Sequence, residues 1–217
     1  MDYKIMFIDE EATQHEEFAD HFENYFPEAD IKCVYPTSTI EEMLLEIENY
    51  RPHAVVADYQ LNDKREGYTY NVCYNGVELV KAIRKQMLDF PCFVMTSHDL
   101  EAVNYSDDVN LIYIKKTLHY TFSEGEKVPF AQRVKNQIDN YFNKIASAKI
   151  ELKKLIDKRE KGNANIQDEE RLIELDSFLE KTYDAKNAIP EDMKTTSNLD
   201  RLNLLIDKVD ELIRKIE

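Results

Sequence analysis

Five short apolar runs, separated by longer amphipathic stretches, constrain the fold of the first 118 residues more than any other feature of this chain. The runs are rich in β-branched or aromatic side chains, as buried strands are, and they are Lys4–Ile8, Ile31–Tyr35, Ala54–Ala57, Cys92–Met95 and Leu111–Ile114. Strands that alternate with helices along a chain form a parallel sheet covered by helices. The sequence therefore predicts an α/β fold with a doubly wound, five-stranded parallel sheet.

Three of the stretches between the runs have the apolar spacing of helices. They are Glu11–Tyr25, Thr39–Asn49 and Gly76–Met87. The stretch after the fourth run is weaker, because it offers only Leu100 and Val103 as an apolar pair before a turn-forming sequence. We expect a fourth helix there to be short or frayed.

The composition changes near residue 118. Residues 1–118 carry 10 basic and 23 acidic groups, a net charge of −13, whereas residues 119–217 carry 18 and 20, a net charge of −2. Beyond this point apolar residues recur at alternating spacings of four and three, at Val134, Ile138, Tyr141, Ile145, Ala148, Leu152 and Leu155. This heptad seam predicts a long helix that ends at Lys161-Gly162.

Two more helices are expected after the heptad helix. The first opens at Asp168, and the second follows a loop at Pro190, with Ser197 and Asp200 as a capping box. Three such helices form either an internal three-helix bundle or an intermolecular coiled coil, and the pattern leaves both open. We assign residues 1–143 to the α/β domain with the start of its last helix, and residues 144–217 to a helical region.

Several common sites are excluded by motif spacing. The closest two of the four glycines are Gly67 and Gly76, too far apart for a Walker loop or a dinucleotide-binding fingerprint. The positions of the five histidines exclude an HExxH zinc motif, and no GxSxG elbow occurs. Most hydrolase classes are therefore excluded.

Charge and cysteine usage restrict the partners and the compartment. A net charge of −15 disfavours direct nucleic-acid binding and association with acidic membranes. The three cysteines form no close pair, so no disulfide framework or CxxC site is encoded. The N-terminus does not resemble an export signal, and the apolar runs are too short to span a membrane. We expect a cytoplasmic protein.

Polar side chains stand at the predicted carboxyl ends of four strands. The first strand ends in Asp9-Glu10-Glu11, the third in Asp58, the fourth in Thr96-Ser97 and the fifth in Lys115-Lys116. In a doubly wound sheet these ends form the ligand-binding crevice. Acids that converge there repel one another, and a hard divalent cation relieves the repulsion. The pattern predicts a pocket for a metal ion and an oxyanion or phosphate.

Four motifs on these strands, MFIDEE, VVADYQL, FVMTSHD and IYIKKT, occur in an order that resembles the receiver domain of two-component response regulators. The resemblance covers about residues 1–118 and the helix that follows. It implies a flavodoxin-like fold in which Asp58 accepts a phosphoryl group from a histidine kinase or a phosphotransfer protein.

The resemblance also assigns the metal and phosphate ligands. It implies that Asp9 and Glu10 hold Mg²⁺ together with Asp58 and the backbone carbonyl of Gln60, and that Thr96 binds the phosphoryl group. A metal ion and a cation suit phosphoryl transfer, because negative charge is spread over the transition state.

The lysine that would pair with the phosphoryl group is one of two neighbours. Receivers often carry an aromatic switch residue three positions before this lysine, and that spacing favours Lys116, with Tyr113 as the switch. Lys115 remains the alternative. Tyr113 could equally be an ordinary aromatic residue of a strand.

The chain departs from the receiver pattern in two places. Glu10 stands where a second aspartate is usual, and its extra methylene moves the carboxylate, so we expect modest metal affinity. The glycine expected soon after the phosphoacceptor is Gly76, which leaves an insertion around Lys64–Tyr74. This insertion is either a lid over the site or a surface elaboration.

The sequence therefore predicts a response regulator whose phosphorylation switches a helical module that binds a protein or forms a homodimer. It would be no enzyme, since it would assist only its own phosphorylation and hydrolysis. A phosphorylation-independent pseudo-receiver scaffold is the alternative, and a Mg²⁺-dependent phosphatase is a third possibility.

Overall fold

The computed structural model contains the predicted parallel sheet. Its strands are β1 (Lys4–Ile8), β2 (Asp30–Val34), β3 (Ala54–Asp58), β4 (Cys92–Thr96) and β5 (Ile112–Ile114). Each neighbouring pair is parallel, and the order across the sheet is β2-β1-β3-β4-β5. This is the flavodoxin-like order, in which the winding reverses between β1 and β3. The predicted fold class is confirmed.

The structure describes residues 3–61, 72–97, 108–119, 128–191, 194 and 199–214. The chain divides into two compact units. One consists of Met1–Ile83 and Pro91–Ile138, and the other of Arg84–Phe90 and Asp139–Glu217.

Three helices connect the first four strands. They are α1 (Ala12–Tyr25), α2 (Ile40–Tyr50) and α3 (Gly76–Gln86), each within about two residues of its predicted bounds. The central strands β3 and β4 are buried along their whole length, whereas the edge strands β2 and β5 are partly exposed. Helices on both faces explain this pattern. The predicted weak fourth helix falls on residues 98–107, outside the described residues.

Short 3₁₀ helices flank β5, at Val109–Leu111 and Lys115–Leu118. The rest of the described chain contains three helices, α4 (Phe130–Glu160), α5 (Ile166–Asp184) and α6 (Leu199–Arg214). None of the described helices is both long enough and apolar enough to cross a membrane.

The ends of α4 and α5 have clear local causes. Gly162, just beyond α4, has a φ of +69°, a conformation that glycine adopts without a steric penalty. Asn165 caps α5: its side chain accepts from the N–H of Asp168, and the Asp168 carboxylate accepts from the N–H of Asn165. Asp168 thus lies in the first turn of α5 and does not open it. Of the other predicted capping box, Ser197 lies outside the described residues.

The heptad seam of α4 is buried within the single chain. Six of its seven predicted positions are at most 7% exposed, namely Val134, Ile138, Tyr141, Ile145, Ala148 and Leu152. Leu155 is half-buried, and Ile156 takes the last buried place. An intermolecular coiled coil through this seam was one of the two alternatives, and the structure favours the internal one. The buried seam is therefore not free to form a homodimer interface, and the expected homodimer stays a prediction.

Candidate functional site

Three buried carboxyl groups meet at the carboxyl edge of the sheet. Asp9, Glu10 and Asp58 are 0%, 4% and 4% exposed, and one carboxylate oxygen of each lies within 4.8 Å of the others. Asp9 and Glu10 follow β1, and Asp58 ends β3. Because β1 pairs directly with β3, with Ile8 opposite Ala57, the next residues on the two strands are brought together.

Backbone groups orient two of these carboxylates. The N–H of Glu11 donates to Asp9 Oδ1 at 2.7 Å, and the N–H of Gln60 donates to Asp58 Oδ2 at 3.2 Å. Hydrogen bonds of this kind stabilise the ionised form of a carboxylate. The hydrogen bond from Gln60 places its backbone beside Asp58, the predicted phosphoacceptor. Metal binding through the carbonyl of Gln60 stays a prediction.

Lys115 supplies the positive charge of the site. Its Nζ lies 2.8 Å from Asp9 Oδ2 and 2.9 Å from Asp58 Oδ1, and its side chain is only 14% exposed. It is the first residue after β5, as Asp9 is the first after β1, so both side chains start at the same edge. Lys116 lies one residue further along and is exposed. These contacts favour Lys115, the alternative, over Lys116, and the role of the lysine in binding the phosphoryl group stays a prediction.

Burial disfavours the ionised forms of the acids in this site. Burial raises the pKa of Asp58 to about 6, although Lys115 acts in the opposite direction. Burial and the charges of Asp58 and Asp9 raise the pKa of Glu10 to about 8. Burial also raises the pKa of Asp9, while burial of Lys115 is outweighed by the two aspartates, which raise its pKa. Burial thus favours the protonated forms of these three carboxyl groups, and a further positive charge beside them would act in the opposite direction.

The donor set fits a Mg²⁺ ion. All three candidate ligands are hard carboxylate oxygens, the type that Mg²⁺ prefers. They lie close enough together to share one cation. Asp9, Glu10 and Asp58 are the residues that would hold it.

Thr96 lies at the same edge as the acids. It is the last residue of β4, it is 1% exposed, and it pairs with Ile114 of β5. On its other side β4 pairs with β3, with Met95 opposite Asp58. The predicted hydroxyl therefore stands on the strand between those that carry Asp58 and Lys115.

Tyr113 lies in an aromatic cluster. Its ring centroid is 5.8 Å from that of Phe93 and 5.1 Å from that of Phe130, the first residue of α4. With Lys115 in the site, the residue three positions before the lysine is Ile112, which is not aromatic. The role of Tyr113 as a switch stays a prediction, and the spacing argument no longer supports it.

The sequence did not predict the close contact between Gly76 and Asp58. A Cβ atom at Gly76 would lie 2.1 Å from the carbonyl oxygen of Asp58. The N–H of Gly76 donates to the carbonyl of Tyr59 at 3.0 Å. A glycine as the first residue of a helix, where other residues are equally suitable, was the signal for close backbone approach.

Most of the predicted insertion lies outside the described residues. Its last residue, Tyr74, is buried, and its hydroxyl donates to the carbonyl of Thr37 at 3.1 Å. This hydrogen bond fixes the chain just before α3 begins.

Among solved structures, the chain resembles receiver domains of response regulators. It is 20% identical to the BeF₃-activated DrrB receiver domain, over 64% of this chain and 99% of that one, with a TM-score of 0.43. It is 13% identical to the receiver domain of RcsB from Escherichia coli, over 54% and 85%, with a TM-score of 0.39. A complex of RcsB with DNA is 13% identical over 100% and 92%, with a TM-score of 0.38.

No family model matches the chain, and no curated protein matches it in sequence. The resemblance predicted from the four motifs is thus found among solved structures at low identity. The fold rests on the strand order, and the candidate site rests on the distances given above.

Proposed function

We propose that this chain is a response regulator that accepts a phosphoryl group on Asp58. The observation that carries the proposal is the contact of Lys115 with Asp58 beside two further buried acids at the sheet's carboxyl edge. Asp58 ends a fully buried strand, so its position is fixed by the core of the first unit. A fixed nucleophile beside a cation is what phosphoryl transfer requires.

The transfer forms a bond between a carboxylate oxygen of Asp58 and phosphorus, and it breaks the bond between phosphorus and the nitrogen of a phosphohistidine donor. A histidine kinase or a phosphotransfer protein would present that donor. The donor imidazole keeps the electron pair of the broken bond and takes up a proton.

The residues of the site divide the remaining work. Lys115 stabilises the negative charge that develops on the phosphoryl oxygens, and the Thr96 hydroxyl donates a hydrogen bond to one of them. Asp9, Glu10 and Asp58 would hold Mg²⁺, which would supply further positive charge beside the phosphoryl oxygens. The longer side chain of Glu10 makes modest metal affinity the expected outcome.

The helical region is proposed as the output, with residues 1–143 as the receiver and residues 144–217 as a module that binds another protein. The near-neutral charge of the second part of the chain gives no attraction to phosphates. A homodimer would need a surface other than the buried seam. Tight binding of duplex DNA at physiological salt would contradict the assignment of a protein partner.

The proposal is tested by treatment with acetyl phosphate and Mg²⁺, followed by mass spectrometry of the intact chain and its peptides. A single phosphoryl adduct on the Asp58 peptide is expected. Asp58→Asn should remove it, while Asp30→Asn, which changes an exposed acid at the opposite edge of the sheet, should not. Equal labelling of Asp58→Asn and the parent would show that the assignment is wrong.

A phosphorylation-independent scaffold is the second candidate. It is favoured by one observation, that Lys115 already contacts both Asp9 and Asp58. Absence of the adduct with an intact fold would support the scaffold. Absence of the adduct with turnover of a small phosphate ester would instead support a Mg²⁺-dependent phosphatase.

A further inference from the structure

Gly76, the first residue of helix α3, contacts the backbone of Asp58, the proposed phosphoacceptor. Gly76 lies so close to β3 that a Cβ atom there would be 2.1 Å from the Asp58 carbonyl oxygen and 3.3 Å from Ala57 Cβ. Its N–H also donates to the carbonyl of Tyr59. Since these contacts involve backbone on both sides, a shift of Asp58 reaches the start of α3 without a flexible side chain in between.

The body of α3 is well packed. Val77, Leu79, Val80 and Ile83 are buried, at most 4% exposed. Interiors packed at this density transmit a displacement and do not absorb it. A displacement at Gly76 is therefore expected to move α3 as one body, as in other packed helices that shift between discrete positions.

The far end of α3 is bonded to the end of α5. The carbonyl of Gln86, the last residue of α3, accepts from the N–H of Ala185 at 2.8 Å, and the N–H of Leu88 donates to the carbonyl of Lys181 at 3.1 Å. Lys181 lies in the last turn of α5, and Ala185 follows that helix. Two backbone hydrogen bonds thus join the ends of these helices.

Side chains of the turn after α3 contact α4 as well. Asp89 has a φ of +58° and accepts from Lys144 Nζ at 2.9 Å. The ring of Phe90 packs edge-on against that of Tyr141, with centroids 5.8 Å apart. The segment from Gln86 to Phe90 is therefore held by two of the three helices of the second unit.

We propose that α3 is the element through which phosphorylation of Asp58 regulates the helical region. The phosphoryl group adds negative charge on a residue in contact with the positive end of the α3 dipole. The resulting shift of α3 changes the hydrogen bonds of Gln86 and Leu88 with the end of α5. This inference rests on the proposed function of Asp58.

Amide hydrogen exchange of the full chain, with and without beryllofluoride and Mg²⁺, tests the inference. Beryllofluoride bound at Asp58 is first verified by fluorine NMR, with Asp58→Asn as the control. The exchange rates of the Leu88 and Ala185 amides should then change by about threefold or more, the scale of coupling through packed elements.

The outcomes separate the two proposals. A bound fluoride signal without a change at Leu88 and Ala185 overturns the inference about α3 and leaves the proposed function standing. The same holds if the changes occur only in the α4 seam. Absence of a bound signal overturns the proposed function, and the inference with it.

A reciprocal experiment uses two variants of Ala185. Ala185→Pro removes the N–H that donates to Gln86, and the φ of −63° at this position accommodates a proline ring. Because coupling is reciprocal, the variant should change the beryllofluoride affinity by about threefold or more. Ala185→Gly, the matched control, keeps the N–H and should leave the affinity unchanged. Equal affinity in both folded variants contradicts the inference, and if Ala185→Pro fails to fold, the exchange data of the parent decide.

Discussion

Lys115 contacts both Asp9 and Asp58, and loss of its ammonium should impair phosphorylation more than loss of the neighbouring lysine. We expect Lys115→Ala to lower the rate of adduct formation by about 100-fold, the usual effect of removing one group that stabilises the transition state. Lys116→Ala, which changes an exposed side chain, should leave the rate near that of the parent. Rates are measured at saturating Mg²⁺ with acetyl phosphate. The reverse order of the two variants would return the role to Lys116.

Gly76 is the second residue whose change should reach the site. Alanine favours helices by up to about 1 kcal/mol over glycine, but its Cβ would collide with the Asp58 carbonyl, and crowding of a packed region costs about 1–3 kcal/mol. Gly76→Ala should therefore lower both the free energy of unfolding and the phosphorylation rate. Gly162→Ala should lower stability alone, because the φ of +69° is unfavourable for alanine while a Cβ there meets no atom within 4 Å. A Gly76→Ala chain that is phosphorylated at the parent rate would contradict this prediction.

His53 should make stability depend on pH. It is 1% exposed, its Nδ1 accepts from the N–H of Lys4 at 3.1 Å, and burial, helped by the Lys4 charge, lowers its pKa from 6.5 to about 4. The unfolded chain therefore binds a proton between pH 6.5 and 4 that the folded chain does not. The contribution of His53 to the free energy of unfolding is at its maximum above pH 6.5, and it falls by about 3 kcal/mol as the pH drops from 6.5 to 4.

His53→Asn isolates the effect, since the asparagine oxygen can accept from Lys4 but does not titrate. Denaturant unfolding of both chains between pH 4 and 7 measures the difference, because the other groups titrate in both. The free energy of the parent relative to the variant should decline as the pH falls. Parallel curves would contradict this prediction, because they would show that His53 titrates with the same pKa in the folded and unfolded chains.

Individual site residues were predictable to different degrees. Asp9, Glu10, Asp58 and Thr96 follow apolar runs, and the geometry of a parallel sheet alone brings such residues to one edge. The choice between Lys115 and Lys116 depends on where β5 ends, which a pattern fixes only within a residue or two. The approach of Gly76 to Asp58 depends on tertiary packing, and a glycine at the start of a helix indicates a close approach without naming its partner.

At the scale of the helices, the apolar seam of α4 is buried in the core of this chain and is not exposed to a second copy. Ile145→Glu would bury a charge at a position that is 0% exposed, and we expect a loss of more than about 3 kcal/mol of stability. Ile150→Glu, on the same helix but 55% exposed, should change stability by less than about 0.5 kcal/mol. Circular dichroism during denaturant unfolding measures both. A folded Ile145→Glu chain that only changes its oligomeric state in sedimentation would restore the intermolecular reading.

The elements themselves were largely predictable, because periodicity reports which residues must be buried. It gave all five strands and α1 to α4 within a few residues. It could not tell whether the seam of α4 is covered by the same chain or by a second copy, since both bury the same side chains. The cap of α5 was placed three residues late, because Asp168 is a plausible cap by itself and its partner Asn165 precedes it.

At the scale of the whole molecule, the net charge of −15 complicates any test of metal binding. Divalent cations screen repulsion among surface acids and so stabilise an acidic chain without occupying a site. Specific binding is distinguished by its dependence on residues of the cluster. It must also persist when the ionic strength is held constant with sodium chloride.

We expect Mg²⁺ at tenfold its dissociation constant to raise the free energy of unfolding by about 1.4 kcal/mol at constant ionic strength. Glu10→Asp should retain this increment or enlarge it, because aspartate keeps the carboxylate that would bind the cation. Asp9→Asn should lose it, since a neutral amide replaces one of three carboxylates that share the cation. Glu11→Gln, next to the cluster but outside it, keeps the increment and controls for the change in net charge. Equal increments in Asp9→Asn and Glu11→Gln would mean that Mg²⁺ acts on the acidic surface as a whole and not at the sheet edge.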